Sequence, residues 1–321
     1  VHDGARALGS SPHDLVGKTV KGKYRLEECI GLGATSAVFR AHSLRHQRDV
    51  AFKLLLGESN GFGQIGARFR QEAASLAELR HCGVAELLDD GVTEDGAPYI
   101  AMELLRGKTL CAHLADYGRL TPRDAVLIAI RVARILDKLH ERGLIHRDVK
   151  PANIFLETSH AGRTAIRLLD LGSARRLRPS TRSATATQPG LGGPDPSTAR
   201  TLPGLVLGTP EYMSPEQCTA GSEPDPRSDI YSLGVVVYEL LAGAPPFGGR
   251  SPSSILNAHL FFHPPALATR GVHVPESLEK VVFRALEKEP SARYDSVGPF
   301  ACALADGARD ADKCAPNSAT R

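Results

Sequence analysis

The chain has 321 residues, 42% of them hydrophobic and 23% charged, which is enough for a sizeable core and too long for a miniprotein held together by disulfides. Its 39 basic and 36 acidic residues leave a formal charge of +3, which is no nucleic-acid signature. The six cysteines (Cys29, Cys82, Cys111, Cys218, Cys302 and Cys314) contain no C-x-x-C pair, which argues against a zinc site or disulfide framework and for a reducing compartment.

Residues 1–22 are polar and Gly-rich, lack the apolar segment of a signal peptide, and are expected to form a flexible extension. From Tyr24 to Leu105 short apolar runs (Tyr24 to Ile30, Ala37 to Ala41, Val50 to Leu56, Tyr99 to Leu104) predict a small, mostly antiparallel sheet. One helix interrupts it at Ala67 to Arg80, where Phe69, Ala73, Leu76 and Leu79 or Arg80 recur at three- and four-residue steps. Beyond Gly107 the pattern turns helical. Thr121 is the expected N-cap and Pro122 the first residue of a helix whose stripe runs Val126, Ile130, Ala133 and Leu136 or Asp137 toward His140.

The apolar run Ile230 to Ala244 is broken by Ser232 and Glu239 and ends at Pro245-Pro246, short of the ~20 residues a membrane span needs, so it predicts a buried helix. Between Arg178 and Gly204, 17 of 27 residues are Pro, Gly, Ser or Thr (5, 4 and 8), a composition that cannot offset its ordering entropy and predicts mobility. There is no internal repeat, and the tail from about Ala305 is expected to fray. The fold class is α+β, a sheet-rich region followed by a helix-rich one.

Glu72 lies three residues after Phe69 and four before Leu76, which places a carboxylate on the apolar face of the first helix. A buried carboxylate demands a cation, and Lys53, alone in Val50-Ala51-Phe52-Lys53-Leu54-Leu55, is the candidate. Singly each reads as a rim or snorkelling charge; together they suggest an ion pair from strand to helix. The segment Gly31-Leu32-Gly33-Ala34-Thr35-Ser36 joins two predicted strands and suits either a backbone that faces phosphate or an ordinary hairpin turn; a dinucleotide-binding loop would need a helix next.

Ile154-Phe155-Leu156 and Ile166-Arg167-Leu168-Leu169 flank a turn-rich segment and predict an antiparallel hairpin. That pairing brings Asn153 and Asp170 to one end, two oxygen ligands of the kind Mg²⁺ needs when it holds a phosphate chain. Just upstream, His146-Arg147-Asp148-Val149-Lys150-Pro151 concentrates four ionisable side chains between apolar segments, which disfavours a merely solvated turn.

Taken in order and at these spacings, the motifs resemble those of a bacterial, eukaryotic-like (Hanks-type) Ser/Thr protein kinase, over roughly Tyr24 to Ala305. The resemblance implies a bilobal protein-kinase fold: a small antiparallel β lobe with one helix at 23–105, and a larger, mostly helical lobe at 106–305. The latter would carry a long mobile activation loop at 174–206, with 306–321 as a tail. It implies that Gly31, Gly33 and Ser36 cover the phosphates of ATP, that Lys53, paired with Glu72, binds them, and that Ile30 also belongs to the ATP site. Val38, Ala51 and Phe155 would sandwich the adenine, with Met102 as gatekeeper and Glu103 to Leu105 as the hinge that meets it.

Asp148 resembles the catalytic base, Lys150 the residue that steadies the transferring phosphoryl, and Asn153 and Asp170 the ligands of Mg²⁺ or Mn²⁺. Leu76, Leu88, His146 and Leu171 look like a stacked spine. Gly208-Thr209-Pro210-Glu211-Tyr212-Met213-Ser214-Pro215-Glu216 matches the family's platform for substrate peptide, Thr209 included, with Glu216 paired to Arg293 and Asp229 tying the catalytic loop; an ordinary exposed salt bridge is the bland alternative for such pairs.

Departures from the pattern are Ser36 for the third loop glycine, Leu171 after Asp170, and the 46-residue separation from Asp170 to Glu216, expected to be disordered when unphosphorylated. Arg147 resembles the residue that pairs with an activation-loop phosphate, for which Thr198 and Thr201 are the preferred acceptors. The resemblance further implies a cytoplasmic enzyme acting on protein substrates, autophosphorylation aided by dimerisation, and recruitment of phosphothreonine-binding partners by the modified loop. A catalytically silent pseudokinase scaffold would be expected to have lost Lys53, Asp148 or Asp170, and all three stand.

Overall fold

The computed structural model describes residues 12–33, 35–57, 63–158, 164–177, 209–219, 225–249 and 251–314. The chain divides into two compact units, Val1–Arg106 and Gly107–Arg321.

Among its described residues the first unit holds one six-stranded antiparallel sheet and one α-helix. Its strands are β1 (Thr19–Val20), β2 (Tyr24–Leu32), β3 (Ser36–Ser43), β4 (Arg48–Leu55), β5 (Leu87–Val92) and β6 (Pro98–Glu103), in the order β1-β2-β3-β4-β6-β5. Alternation along the strands sends Ala37, Phe39, Ala41, Val50, Phe52, Leu54, Tyr99 and Ala101 to one face, where Leu15, Val20, Tyr24 and Leu26 complete a core. Phe52 stacks on Tyr99 at 4.9 Å between centroids, and the hydroxyls of Tyr24 and Tyr99 both donate to Asp89 Oδ2, at 3.1 and 3.2 Å. On the opposite face lies α1 (Gly63–Glu78), which buries Phe69, Ala73 and Leu76, with Leu79 buried just past its end.

Several expectations change here. The stretch 1–22 was expected to lack structure, yet from Pro12 it forms a 3-10 turn and β1, because Leu15 and Val20 each find the core. Leu88 packs against the Tyr24–Phe52 face, away from α1, so it does not stack with Leu76; Leu87, opposite Met102, is the residue on the α1 side.

In the second unit three small strands, β7 (Gly107–Thr109), β9 (Ile154–Thr158) and β10 (Thr164–Leu168), form a sheet in the order β10-β9-β7, and β8 (Leu144–Ile145) pairs with β11 (Arg175–Arg176). Its described α-helices are α2 (Leu110–Tyr117), α3 (Pro122–Glu141), α4 (Pro215–Cys218), α5 (Arg227–Ala242), α6 (Pro252–Phe261), α7 (Glu276–Ala285) and α8 (Val297–Cys314). Thr121 caps α3, its Oγ1 accepting from Asp124 N at 3.2 Å, and Pro122 opens it. From Ser228 to Tyr238 every residue of α5 is buried, which accounts for the apolar run: it is the central helix of this unit. No helix among the described residues is long and apolar enough to cross a membrane. The tail does not fray at Ala305, because Leu304 is fully buried and Gly307 lies against the backbone of Leu278, so α8 continues to Cys314.

A guanidinium holds the lower part of this unit together. Arg293 is fully buried and forks onto Glu216, with both N–O distances 2.8 Å; its other protons go to the carbonyls of Glu287, Lys288 and Arg227 at 2.8 to 3.0 Å, and Ser228 Oγ donates to Glu216 at 2.7 Å. The bland exposed-bridge alternative fails for this pair. Burial by itself would push the Glu216 carboxyl up; hydrogen bonds from Arg293 and Ser228 and the Arg293 charge outweigh it and hold the group below its ordinary value.

Two predictions follow from these contacts. Because Glu216 is depressed in the folded state, its contribution is present above its unfolded value of 4.5 and is lost as pH falls through the folded one. Urea midpoints should therefore fall on acidification below that value. Glu216→Gln should flatten this acid limb while costing about 3–5 kcal/mol at neutral pH by stranding Arg293. Gly107 has φ +144°, and a Cβ there would run into the carbonyl oxygen of Leu156, so Gly107→Ala should lower the urea midpoint by the equivalent of ~1–3 kcal/mol or more.

Candidate active site

In the first unit β2 reaches Leu32 and β3 begins at Ser36, so Gly31 is a strand residue opposite Val38 and not part of a loop spanning 31–36. The turn is closed by Gly33 N donating to Ser36 O at 2.8 Å; Ala34 lies outside the described residues. The register aligns Gly31 with Val38, Val38 with Lys53, and Ala51 with Met102, on the face opposite the Phe39 and Phe52 core. Ile30 is half exposed at the edge of this row. Lys53 Nζ donates to both Glu72 oxygens at 2.8 Å, and the two side chains are only 11% and 4% exposed. Strand and helix are thus joined by a buried ion pair, and the rim-charge alternative falls. Glu103 N donates to Glu86 O at 2.9 Å, which fixes the end of β6; Leu105 follows it, half-buried.

In the second unit the segment after β8 is shaped by a carboxylate. Asp229, in the first turn of α5 and fully buried, accepts from His146 N at 2.9 Å, Arg147 N at 2.8 Å and His140 Nε2 at 2.8 Å. Burial would raise its pKa; these donors and the nearby imidazoles lower it instead. Arg147 takes φ +65°, uncommon for a residue with a side chain, and Gln217 Nε2 donates to its carbonyl at 2.7 Å from the other side. Held in this way, the chain presents Asp148. Its Oδ2 accepts from Lys150 Nζ at 2.8 Å and Asn153 Nδ2 at 2.9 Å, and its carbonyl accepts from Asn153 Nδ2 at 2.9 Å. Lys150 Nζ also donates to Thr209 Oγ1 at 3.0 Å. Among the described residues nothing bonds Asp148 Oδ1, which leaves one carboxylate oxygen to accept from a ligand.

The hairpin of β9 and β10 pairs Ile154 with Leu168, and Leu169 N donates to Asn153 O at 2.8 Å, so Asn153 and Asp170 emerge at one end. Asp170 has φ +58°, and its Oδ1 accepts from Gly172 N at 3.1 Å. The Asn153 amide is oriented by its two donations to Asp148, which turns its oxygen the other way. An amide oxygen and a carboxylate are hard donors suited to Mg²⁺ or Mn²⁺. Phe155, on β9, pairs with Thr109 and Arg167.

Thr198 and Thr201, with most of the expected mobile loop, lie outside the described residues. Sequence reasoning missed Gln217 and His140, whose partners are backbone and a distant helix. The position of Gln217 directly after Pro215-Glu216 was the only available signal for it.

A family model for the protein kinase domain matches residues 24–298. The chain is 37% identical over 277 residues to the serine/threonine-protein kinase PknB of Mycobacterium tuberculosis, covering 85% of this chain and 41% of that protein. It is 36% identical over 293 residues to the serine/threonine-protein kinase pkn3 of Myxococcus xanthus, covering 91% and 51%. It therefore spans about half the length, or less, of these curated relatives. Among solved structures, a mutant of the kinase domain of Mycobacterium tuberculosis PknI superposes with a TM-score of 0.65 at 29% identity, covering 91% of this chain and 98% of that one. A sheet with a buried Lys–Glu pair, a carboxylate clamped beside a lysine and an asparagine, and a family match over most of the sequence agree: this chain belongs to the protein kinase domain family, among relatives that are bacterial Ser/Thr kinases of the Hanks type.

Proposed function

We propose that this chain is the catalytic domain of a serine/threonine protein kinase, transferring the γ-phosphoryl group of ATP to Ser or Thr hydroxyls of proteins. The observation that carries the reading is Asp148. Its Oδ2 is committed to Lys150 and Asn153, and Lys150 is committed to Thr209, so a carboxylate with one oxygen still available is held beside a fixed ammonium.

In this reading Asp148 Oδ1 accepts the hydroxyl proton as the substrate oxygen forms its bond to the γ-phosphorus and the bond to the β-phosphate oxygen breaks, releasing ADP. Lys150 neutralises charge on the moving phosphoryl. Lys53, oriented by Glu72, binds the α- and β-phosphates. Gly31, Gly33 and Ser36 let backbone N–H groups face the phosphate chain, and Ile30, Val38, Ala51, Phe155, Met102, Glu103 and Leu105 receive the adenine. Asn153 and Asp170 would hold Mg²⁺ or Mn²⁺, which when bound screens the phosphate charge. Because Lys150 bridges Asp148 and Thr209, the Thr209–Glu216 segment is assigned the acceptor peptide. That is the basis for a protein substrate rather than a small molecule.

Regulation belongs to the same reading. Arg147 pairs with a phosphate on Thr198 or Thr201, added by a second copy of the chain, and the modified loop recruits phosphothreonine-binding partners in the cytoplasm. No observation favours a silent pseudokinase, since Lys53, Asp148 and Asp170 are all present.

The test is incubation of the purified chain with ATP and Mg²⁺ beside an Asp148→Asn variant, followed by phosphate mapping by mass spectrometry. The expected result is phosphothreonine within 178–204 of the unsubstituted chain, with transfer lowered at least ~100-fold in the variant. ATP binding without transfer to itself or to any protein would refute the reading. Replacing Thr198 and Thr201 together by Ala should lower transfer to an added substrate, and unchanged activity would remove them from the scheme.

A further inference from the structure

A buried histidine far from the catalytic segment in sequence is bonded to the same stretch of chain that meets Lys150. His259, near the end of α6, is fully buried. Its Nε2 lies 3.0 Å from the carbonyl oxygen of Glu211 and its Nδ1 lies 2.8 Å from the hydroxyl of Tyr231 on α5. A carbonyl oxygen can only accept, so Nε2 carries the proton and donates. In a neutral ring Nδ1 is then bare and accepts from the Tyr231 hydroxyl.

The surroundings keep the ring neutral and still. Tyr231 and Phe247 meet it edge to face, with centroids 5.6 and 5.0 Å away. Lys288 Nζ stands 4.7 Å from the centre of Phe247 and 5.9 Å from that of Tyr231, and Arg293 lies over Tyr231 at 4.9 Å. The acids of the adjoining elements are Glu216 of α4, which is taken by Arg293, and Glu211 itself, whose buried Oε2 has no hydrogen-bond partner among the described residues. Cys218 of α4 stays a thiol, since burial raises it to about 12. Burial lowers His259 to about 4, and the Lys288 charge adds to this against the pull of the Glu211 carbonyl.

The connection to the reacting groups is short. Glu211 lies in the 3-10 turn Pro210–Tyr212, whose first carbonyl, Thr209 O, accepts from Tyr212 N at 3.3 Å, and Thr209 Oγ1 receives Lys150 Nζ. A shift of Glu211 therefore moves Thr209. We propose that His259 is a positioning residue for phosphotransfer: by donating from Nε2 to the Glu211 carbonyl it holds the turn that places Thr209 on Lys150, and hence Lys150 on Asp148. The inference rests on the phosphotransfer reading of Asp148 and Lys150. It assigns no contact with substrate to His259.

The test compares the unsubstituted 321-residue chain with His259→Leu and His259→Gln, using a Thr-containing synthetic peptide that the unsubstituted chain phosphorylates. Leu fills the cage without a donor; Gln carries an N–H donor at the place of Nε2. Loss of the hydrogen bond should lower kcat/KM for the peptide about 10-fold in His259→Leu, with KM for ATP within about twofold, and His259→Gln should recover to within about threefold of the unsubstituted chain. A Gln variant as impaired as the Leu variant, or a Leu variant with unchanged kcat/KM, means that His259 only packs, and overturns the proposal.

An independent readout survives a Leu variant that does not fold. The ¹⁵N spectrum of the labelled, unsubstituted chain should show His259 protonated at Nε2 only, without titration from about pH 5.5 to 8. An Nδ1–H form or a titration in that range overturns the proposal as well. Failure of the unsubstituted chain to phosphorylate any peptide or protein would instead refute the phosphotransfer reading, a result distinct from either of these.

Discussion

The second unit is organised around one carboxylate. Asp229 is fully buried at the start of α5, where an isolated charge would be untenable, so its oxygens must be filled. They are filled by the backbone N–H groups of His146 and Arg147 and by His140, and the positive end of α5 favours the same charge. Two adjacent N–H groups converging on one carboxylate bend the chain, and Arg147 adopts φ +65° as the consequence. That is backbone strain of ~1–3 kcal/mol, and it persists because Asp229 and Gln217 grip the two sides of the same residue. The position of Asp148, one residue on, inherits that rigidity.

Buried charges elsewhere obey the same rule, each with its own geometry. Lys53 and Glu72 share one bidentate contact across strand and helix, which ties the rotation of α1 to β4. Arg293 instead distributes its protons over one carboxylate and three carbonyls, so no donor of the fork is wasted. Such pairs add little net stability over well-packed apolar residues, but any arrangement that separates them leaves a bare charge in the core. What they contribute is selectivity among packings. Each disfavours every alternative in which helix and strand, or α4 and the segment before α8, slide past one another.

The legible parts of the sequence were those in which chemistry contradicts its surroundings. Lys53 stands alone in an apolar strand and Glu72 on an apolar helix face, so their pairing could be read without any long-range information. The β9–β10 hairpin was readable from two apolar runs about a turn, and it delivered Asn153 and Asp170 to one end. By contrast β5 reads Leu-Leu-Asp-Asp-Gly-Val and carries no strand pattern. Its Asp89 is there because the hydroxyls of Tyr24 and Tyr99 need an acceptor, a fact visible only once β2 and β6 are placed. Gln217, His140 and His259 escaped for the same reason: each bonds a backbone atom or a residue dozens of positions away, and no periodicity encodes that. Leu88 was expected beside Leu76 but packs on the Tyr24–Phe52 face, because a bulge in β5 shifts the alternation between Leu87 and Asp89.

The segment from Thr209 to Gln217 is bonded on several sides at once. In nine residues it accepts from Lys150 at Thr209 Oγ1, from His259 at the Glu211 carbonyl, from Ser232 at the Tyr212 carbonyl and from Arg293 at the Glu216 carboxylate, and it donates the Tyr212 hydroxyl to Glu239 and the Gln217 amide to the Arg147 carbonyl. Its own regular structure amounts to a 3-10 turn and four residues of helix, too little to hold a shape alone. Its conformation is therefore imposed from outside by α5, α6 and the catalytic segment, and each of those contacts is a bond of defined direction rather than apolar packing. A segment held in this way takes its rigidity from directed bonds on several sides rather than from regular structure of its own.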